Sequence, residues 1–480
     1  MEFETIIGLE IHVELNTKSK MFCGCSTDFG GEPNTRTCPV CLGHPGVLPV
    51  ANKKAIESAI MLALALNCRI AERCLFHRKN YFYPDMPKNY QISQYDVPLS
   101  EDGWLDIEMD GYTRRVGIVR VHIEEDTGKS IHVGESGRIH GADYSLEDFN
   151  RAGIPLVEIV TRPDIRSPEE ASVFLQSLRD VIVYLGISDC RMEEGSLRCD
   201  ANISVSINGK LGTKVEIKNM NSFRSLRRAL SYEEERQRKI LREGGQIFQE
   251  TRHFNEETGE TQALRTKEEA FDYRYFPEPD LVPLEPDPEW IEEIRSKIPE
   301  LPQEKRKRFE KSYGLPKEMA RILVGEKDLA DYFEKAASLA KSPAELGKWI
   351  SGDLLALLKS EGVLISECPI KPEAIAGLVN LVYDKTISGK MAKDVLKEAF
   401  FERRDPVAIV EEKGLSQISD ENELVSVIRE VIKENPDAVS DFKNGREQAL
   451  KFLMGQVMKK TKGKANPERS AKLLKEILSK

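Results

Sequence analysis

Near the start of the chain, "MFCGCSTDFGGEPNTRTCPVCLGHPG" sets Cys23, Cys25, Cys38 and Cys41 as a C-x-C and a C-x-x-C pair. The twelve residues between the pairs are rich in Gly, Asn, Pro and Thr. Two close pairs of thiolates joined by a turn-rich loop can converge on one Zn²⁺. The competing reading is four reduced thiols in a loop. Four thiolates complete a tetrahedral coordination sphere, and His44 in place of one cysteine would complete it as well. A catalytic zinc keeps one position open, so the spacing predicts a structural staple and places the chemistry elsewhere.

Acidic residues offer that chemistry. "GLEIHVEL" alternates, so Glu10, His12 and Glu14 project from one strand face and Leu9, Ile11 and Val13 from the other. "RVHIEED" supplies Glu124, Glu125 and Asp126, and "LRCDANIS" and "KVEIKNMNS" add Asp200 and Glu216 on the two arms of a hairpin. Carboxylates that converge across a sheet are costly without a cation, and hard oxygen donors suit Mg²⁺, which commonly serves a nucleotide phosphate. Taken singly, each of these acids reads as a solvated strand residue. "HRKNYFYPDMPKNYQISQYD" (77–96) places Arg78, Lys79 and Lys88 among Tyr81, Tyr83, Tyr90 and Tyr95. Lysine offers a mobile charge for phosphate and tyrosine a flat face with a hydroxyl, which suits a nucleotide or a tRNA 3′ end; a surface hairpin with ordinary aromatic packing is the alternative. "DTGKS" (126–130) ends like a phosphate-binding loop. The leading Gly would have to be residue 123, which is Ile, and the following "IHVG" reads as extended chain and not as the helix start that such a loop needs.

The elements that must position these groups are strands and a few helices up to about residue 285. "ANISVSINGKLGTKVEIKNMN" reads as a hairpin turning at Asn208-Gly209. "RSPEEASVFLQSLRDVIVYLG" predicts a helix with Ser167 as N-cap, Pro168 in the first turn and a stop at Gly186. Strands and helices do not alternate regularly, which predicts an α+β fold with a largely antiparallel sheet. The proline-rich "YRYFPEPDLVPLEPDPEW" reads as a strap or linker. The expected domains are 1–285, 286–408 (all helical) and a small helical tail, 409–480. Across 441–480 there are 11 Lys or Arg against 4 Asp or Glu, a net +7, while the whole chain of 480 residues carries −10. That contrast points to a polyanion partner for the tail; a basic solvated helix face is the other reading. Composition is that of a globular protein, 40% hydrophobic and 31% charged. The start of the chain is acidic where a signal peptide would be basic, and the longest apolar run, "AIMLALAL" (59–66), is too short to span a bilayer. An odd nine cysteines, four of them set as metal ligands, predict the reducing cytoplasm.

At "LEDFNRAGIPLVEIV" (146–160) the chain resembles the signature of the B subunit of tRNA-dependent amidotransferases. "GLEIHVEL", "RKNYFYPDMPKNYQISQYD", "EEGSLRCDANIS", "KNMNSF" and "DYRYFPEPDLVPL" are similar to that family too, in order, over essentially the whole chain. The resemblance implies a cradle-shaped α+β domain holding the catalytic site, a helical domain and a tRNA-binding tail. It also implies a heterotrimer with a glutaminase subunit and a small stabilising subunit. In such an enzyme, ATP and Mg²⁺ activate the side-chain carboxylate of Glu-tRNA(Gln) or Asp-tRNA(Asn) as an acyl phosphate, which ammonia from glutamine then displaces. Matching positions imply Glu10, His12, Glu125, Asp200 and Glu216 at the Mg²⁺. Lys79 and Lys88 are the choices near phosphate, as catalytic candidates, with Tyr81 and Tyr90 beside them at ATP; Asn150 and Arg151 are carried as catalytic candidates from the signature, without an assigned role. Zinc, at the four cysteines, varies among members of the family, in keeping with a structural role. A non-catalytic tRNA-binding scaffold and a stand-alone kinase are the rivals. The acidic strand faces speak against the first, and the absence of a recognisable nucleotide loop against the second.

Overall fold

The computed structural model describes residues 3–134, 142–265, 270–415, 421–443, 446, 448–461, 464–465 and 467–479. Among them the chain divides into two compact units, 1–301 and 302–480.

The first unit carries fourteen strands in chain order: β1 (Phe3–Glu14), β2 (Arg69–Ile70), β3 (His77–Asn80), β4 (Tyr90–Ser93), β5 (Ser100–Met109), β6 (Tyr112–Glu125), β7 (Lys129–Val133), β8 (Tyr144–Asp148), β9 (Pro155–Thr161), β10 (Leu197–Ile207), β11 (Val215–Lys218), β12 (Thr251–Asn255), β13 (Glu260–Arg265) and β14 (Phe276–Pro277). Nine of them form one sheet in the order β13-β12-β11-β10-β1-β9-β6-β5-β2. Every pairing in it is antiparallel except β11 with β12, so the fold is the expected α+β with a largely antiparallel sheet. Helices α1 (Lys53–Ala65), α2 (Pro168–Leu185) and α3 (Phe223–Arg242) cover one face. Leu9, Ile11 and Val13 of β1, Val121 and Ile123 of β6 and Val157 and Ile159 of β9 share a buried core with Ile60 and Leu62 of α1 and Phe174 and Leu178 of α2. Period-two alternation then obliges the intervening residues of the same strands to line the opposite face, and these are the polar ones.

Local sequence fixes the element ends. The Ser167 hydroxyl accepts from the Glu170 backbone N–H at 3.1 Å, and Gly186 closes α2 with φ 69°. Asn208 and Gly209 both take positive φ, 48° and 78°, between the mutual backbone bonds of Ile207 and Lys210. "GKS" runs into β7, extended as its sequence predicts. The proline-rich strap contributes β14, which pairs with β3, and its Leu284 exchanges backbone bonds with Cys74.

The second unit is helical throughout among the described residues. Helices Glu421–Glu434, Gln448–Lys460 and Pro467–Leu478 share their own core of Leu424, Ile428, Val431, Leu453, Val457 and Leu474. Lys451, Lys459, Arg469, Lys472 and Lys475 of the basic patch are exposed, whereas Lys460 is paired with Glu430 and Glu434 at 2.9 and 2.6 Å. Lys462 and Lys480 of the same patch, and positions 416–420 of the weak break before it, lie outside the described residues. Among the described residues, no helix is long and apolar enough to cross a membrane.

Candidate functional site

Register across the polar face aligns His122 of β6 with Glu158 of β9, Glu158 with His12 of β1, and His12 with Arg198 of β10. Glu124 lies two residues along β6 from His122, on the same face. The result is a cluster of two imidazoles and two carboxylates. His12 Nε2 is 3.6 Å from Glu124 and 3.7 Å from Glu158, and His122 Nε2 is 3.8 and 3.2 Å from the same pair. One donor atom each from His12, Glu124 and Glu158 lies within 4.8 Å of the others, so one nitrogen and two oxygens can face a single cation. Burial pushes the Glu124 and Glu158 carboxyls up, but the His122 and His12 imidazoles hold both below the usual carboxylate range. Burial pulls His122 down; Glu158 and Glu124 outweigh it and raise the imidazole. The cluster is therefore built to carry negative charge on its oxygens.

Aromatic rings and one lysine stand beside it. Lys79 contributes to holding Glu158 ionised, and its ammonium lies 4.8 Å from the Tyr273 ring and 5.9 Å from that of Tyr81. Tyr95 stacks on Tyr275 at 4.3 Å. Burial raises the hydroxyls of both Tyr81 and Tyr275, and the negative charge of Glu124 adds to it.

A second group continues along the same face. Glu10 is directly opposite Asp200 and accepts from the Asn202 amide at 2.9 Å. Lys218 closes on Asp200 and lies 3.6 Å from Glu216, which accepts from the Thr251 hydroxyl at 2.7 Å. An ammonium thus stands among the acids where a metal would otherwise neutralise them. Burial lowers the Lys218 ammonium, but Asp200, Glu216 and Glu10 more than reverse that. At the edge of the face Asp126 is pushed up by burial yet held far below its usual range by Arg198, at 2.7 Å, and Arg151. Glu14 is pushed up to about 8 by burial and by Asp126.

Glu10, His12, Asp200 and Glu216 share this face, but Glu125 does not join them. It follows Glu124 directly and takes the parity of Ile123, so its carboxylate closes on Lys88 and accepts from the Ile92 N–H at 2.9 Å. Lys88 goes with it, so Lys79 and Lys88 sit apart. Lys88, Glu125, Tyr90 and Arg78 line a cavity of about 200 Å³ together with Lys20 and Cys41. Arg78 is committed to Glu278 of the strap at 2.7 and 2.9 Å.

Asn150 and Arg151 bind backbone. The Asn150 side chain accepts from the Arg36 N–H and donates to the Glu32 carbonyl, both at 2.8 Å, which pins the loop between the cysteine pairs. Arg151 donates to the carbonyls of Thr127 and Gly128 at 3.1 and 2.7 Å, fixing the turn after Asp126. The four cysteine sulfurs lie within 4.8 Å of one another, and those of Cys38 and Cys41 are 3.9 Å apart. Sulfurs on a tetrahedral zinc are ~3.8 Å apart, given Zn–S bonds of ~2.3 Å, so the donor set fits that ion. Glu158, His122, Tyr273 and Tyr275 were not singled out from the sequence. The one available signal for Glu158 was a lone acid in the apolar run "IPLVEIV".

The largely antiparallel sheet thus carries a histidine–carboxylate cluster beside a lysine, with four convergent cysteines nearby in sequence to its first strand. The "GatB/GatE catalytic domain" family matches residues 5–292 and the "GatB domain" family residues 331–478. The chain is 56% identical to the B subunit of the aspartyl/glutamyl-tRNA(Asn/Gln) amidotransferase of Carboxydothermus hydrogenoformans, across all of this chain and 99% of that one. Identity is 55% to the protein of the same name from Caldanaerobacter subterraneus subsp. tengcongensis and 52% to that from Thermodesulfovibrio yellowstonii, both over the full length of each chain. The chain belongs to the family of tRNA-dependent amidotransferase B subunits. As a member it is a subunit of the glutamine-dependent amidotransferase complex, a ligase forming carbon–nitrogen bonds.

Proposed function

We propose that the His12–Glu124–Glu158 cluster is where this subunit activates the side-chain carboxylate of Glu-tRNA(Gln) or Asp-tRNA(Asn). The observation that carries the reading is the register His122–Glu158–His12, which gathers two imidazoles and two carboxylates beside Lys79 on the polar face of the sheet. His12, Glu124 and Glu158 would hold Mg²⁺, whose chemistry when bound is to neutralise phosphate oxygens and orient them. Lys79 supplies a further positive charge to the phosphoryl group in flight, and His122 keeps Glu124 and Glu158 ionised and aimed. The Tyr81, Tyr95, Tyr273 and Tyr275 rings offer flat faces for a base and limit water at the site. The substrate carboxylate oxygen attacks the γ-phosphorus of ATP and ADP departs. Ammonia then attacks the acyl carbon and phosphate leaves. A carboxylate needs such a leaving group before ammonia can displace it.

The ammonia has to come from a glutaminase partner, with a small stabilising subunit completing a cytoplasmic heterotrimer. The exposed lysines of the 409–480 module are assigned to tRNA phosphates. Zinc at the four cysteines is assigned a structural role, because four thiolates leave no open position. A scaffold without catalysis would gain nothing from buried, ionised carboxylates beside a lysine. The test is Mg²⁺ or Mn²⁺ binding by the purified complex: Glu124→Gln and Glu158→Gln should each weaken it, and unchanged affinity in both variants would move the cation elsewhere.

A further inference from the structure

Lys20 is one of the largest fully buried side chains of the protein, 1% exposed. A buried ammonium is costly unless an anion answers it. Its nitrogen lies 3.1 Å from the Phe149 carbonyl oxygen and 3.7 Å from Cys41 Sγ. Among the described residues no carboxylate lies within ion-pair distance of it; Glu125, on the same cavity wall, is closed on Lys88. Gly153 packs beside the contact at ordinary van der Waals distance. A Cβ added to Gly153, whose φ is +88°, would stand 3.5 Å from Lys20 Cδ and 3.6 Å from Cys41 Cβ. Cys41 Sγ also accepts from the backbone N–H of Cys38 at 3.1 Å.

We infer that Lys20 is the counter-cation of a zinc tetrathiolate at Cys23, Cys25, Cys38 and Cys41, a positioning residue that shields the Cys41 thiolate and ties the metal loop to the turn at Phe149. The inference rests on the zinc reading above. A divalent ion with four thiolates carries a net charge of about −2, and that charge answers an ammonium that has no carboxylate within ion-pair distance among the described residues. One N–H of Lys20 is directed to sulfur and another to the Phe149 carbonyl. A hydrogen bond to a metal-bound thiolate withdraws electron density from sulfur, so Cys41 becomes a poorer nucleophile and releases its metal less readily. The Phe149 bond joins this charge to the segment whose Asn150 pins the loop from the other side.

The test compares the zinc-loaded full-length protein with Lys20→Met and Lys20→Arg. Zinc transfer to a chromogenic chelator should quicken roughly tenfold or more in Lys20→Met, the range for losing a partner of a metal ligand, and stay near the original rate in Lys20→Arg. In the Co²⁺-substituted proteins, the thiolate-to-cobalt absorption should shift in Lys20→Met and return in Lys20→Arg. Should Lys20→Met not fold, Lys20→Gln is read by the same band. Melting in a Cys38→Ser background separates charge from packing: Lys20→Met should lower Tm in the zinc-loaded chain and not in Cys38→Ser. Equal losses in both, or unchanged zinc release with an unshifted band, would overturn the inference. A wild-type chain that takes up no zinc and melts like Cys38→Ser would instead overturn the zinc reading itself, and the Lys20 assignment with it.

Discussion

Glu124 and Glu125 are consecutive on one strand, yet their carboxylates serve opposite faces of the sheet: Glu124 stands 3.6 Å from His12, while Glu125 closes on Lys88 and the Ile92 N–H. Two substitutions of identical chemistry at adjacent positions should therefore have different consequences.

Glu125→Gln leaves the Lys88 ammonium buried without its partner. Breaking a buried pair from one side costs about 3 kcal/mol, so Tm should fall while cation binding at His12, Glu124 and Glu158 persists. Loss of that binding with an unchanged Tm would mean Glu125 acts on the polar face after all.

Cys38→Ser should release zinc and lower Tm, since the binding energy of a structural metal is also folding energy. Asn150→Ala should weaken the same loop by about 1 kcal/mol per lost hydrogen bond, and zinc should exchange faster. Metal content and melting of the two variants check this together; a metal-free protein with the original Tm and full activity would show that no staple exists.

The thiols of Cys68, Cys74 and Cys190 are pushed up by burial from 9.0 to about 12, 11 and 12. Each stays protonated in the folded protein over a range where the unfolded chain ionises. Stability is thus lost as pH rises above about 9, because the unfolded state sheds protons that the native state keeps. Native protein at pH 8.5 should resist iodoacetamide at these three positions and label fully in denaturant. Rapid native labelling of Cys68 or Cys190 would contradict their burial.

Removing residues from about 411 onward should weaken tRNA binding and flatten its salt dependence, because fewer phosphates are neutralised. Within the tail, Lys472→Ala and Lys475→Ala should each reduce affinity, whereas Lys460, already held by Glu430 and Glu434, should matter less. Glutamine hydrolysis should survive throughout. An unchanged salt slope would leave the patch a solvated helix face.

Much of the scaffold was legible because it follows local rules. Ser167 and Gly186 bound α2 by capping chemistry, Asn208-Gly209 makes its turn through positive φ, and the alternation of β1 separates Leu9 and Ile11 from Glu10 and His12. The site was legible only in part. His12 was visible on its own strand, but its partner Glu158 is brought to it by the β1–β9 pairing, a contact between residues 146 positions apart that no periodicity announces. The acids of "VHIEE" divide by parity, Glu124 falling with His122 and Glu125 with Ile123, so adjacent residues of one motif reach different partners. Asn150 and Arg151 could not be given roles from sequence because most groups they bind are backbone carbonyls and an N–H of distant loops, with the Asp126 carboxylate 3.7 Å from Arg151.

The most direct test of the account is phosphate release from ATP by the complex carrying Glu158→Gln, measured with mischarged tRNA and alongside glutaminase activity in the same preparation. Glu158→Gln keeps size and hydrogen bonding but removes one charge from the pair that His12 and His122 hold ionised. In this variant tRNA-dependent phosphate release and amide formation should fall by about 100-fold or more while glutamine hydrolysis continues. Release at the wild-type rate would contradict the account.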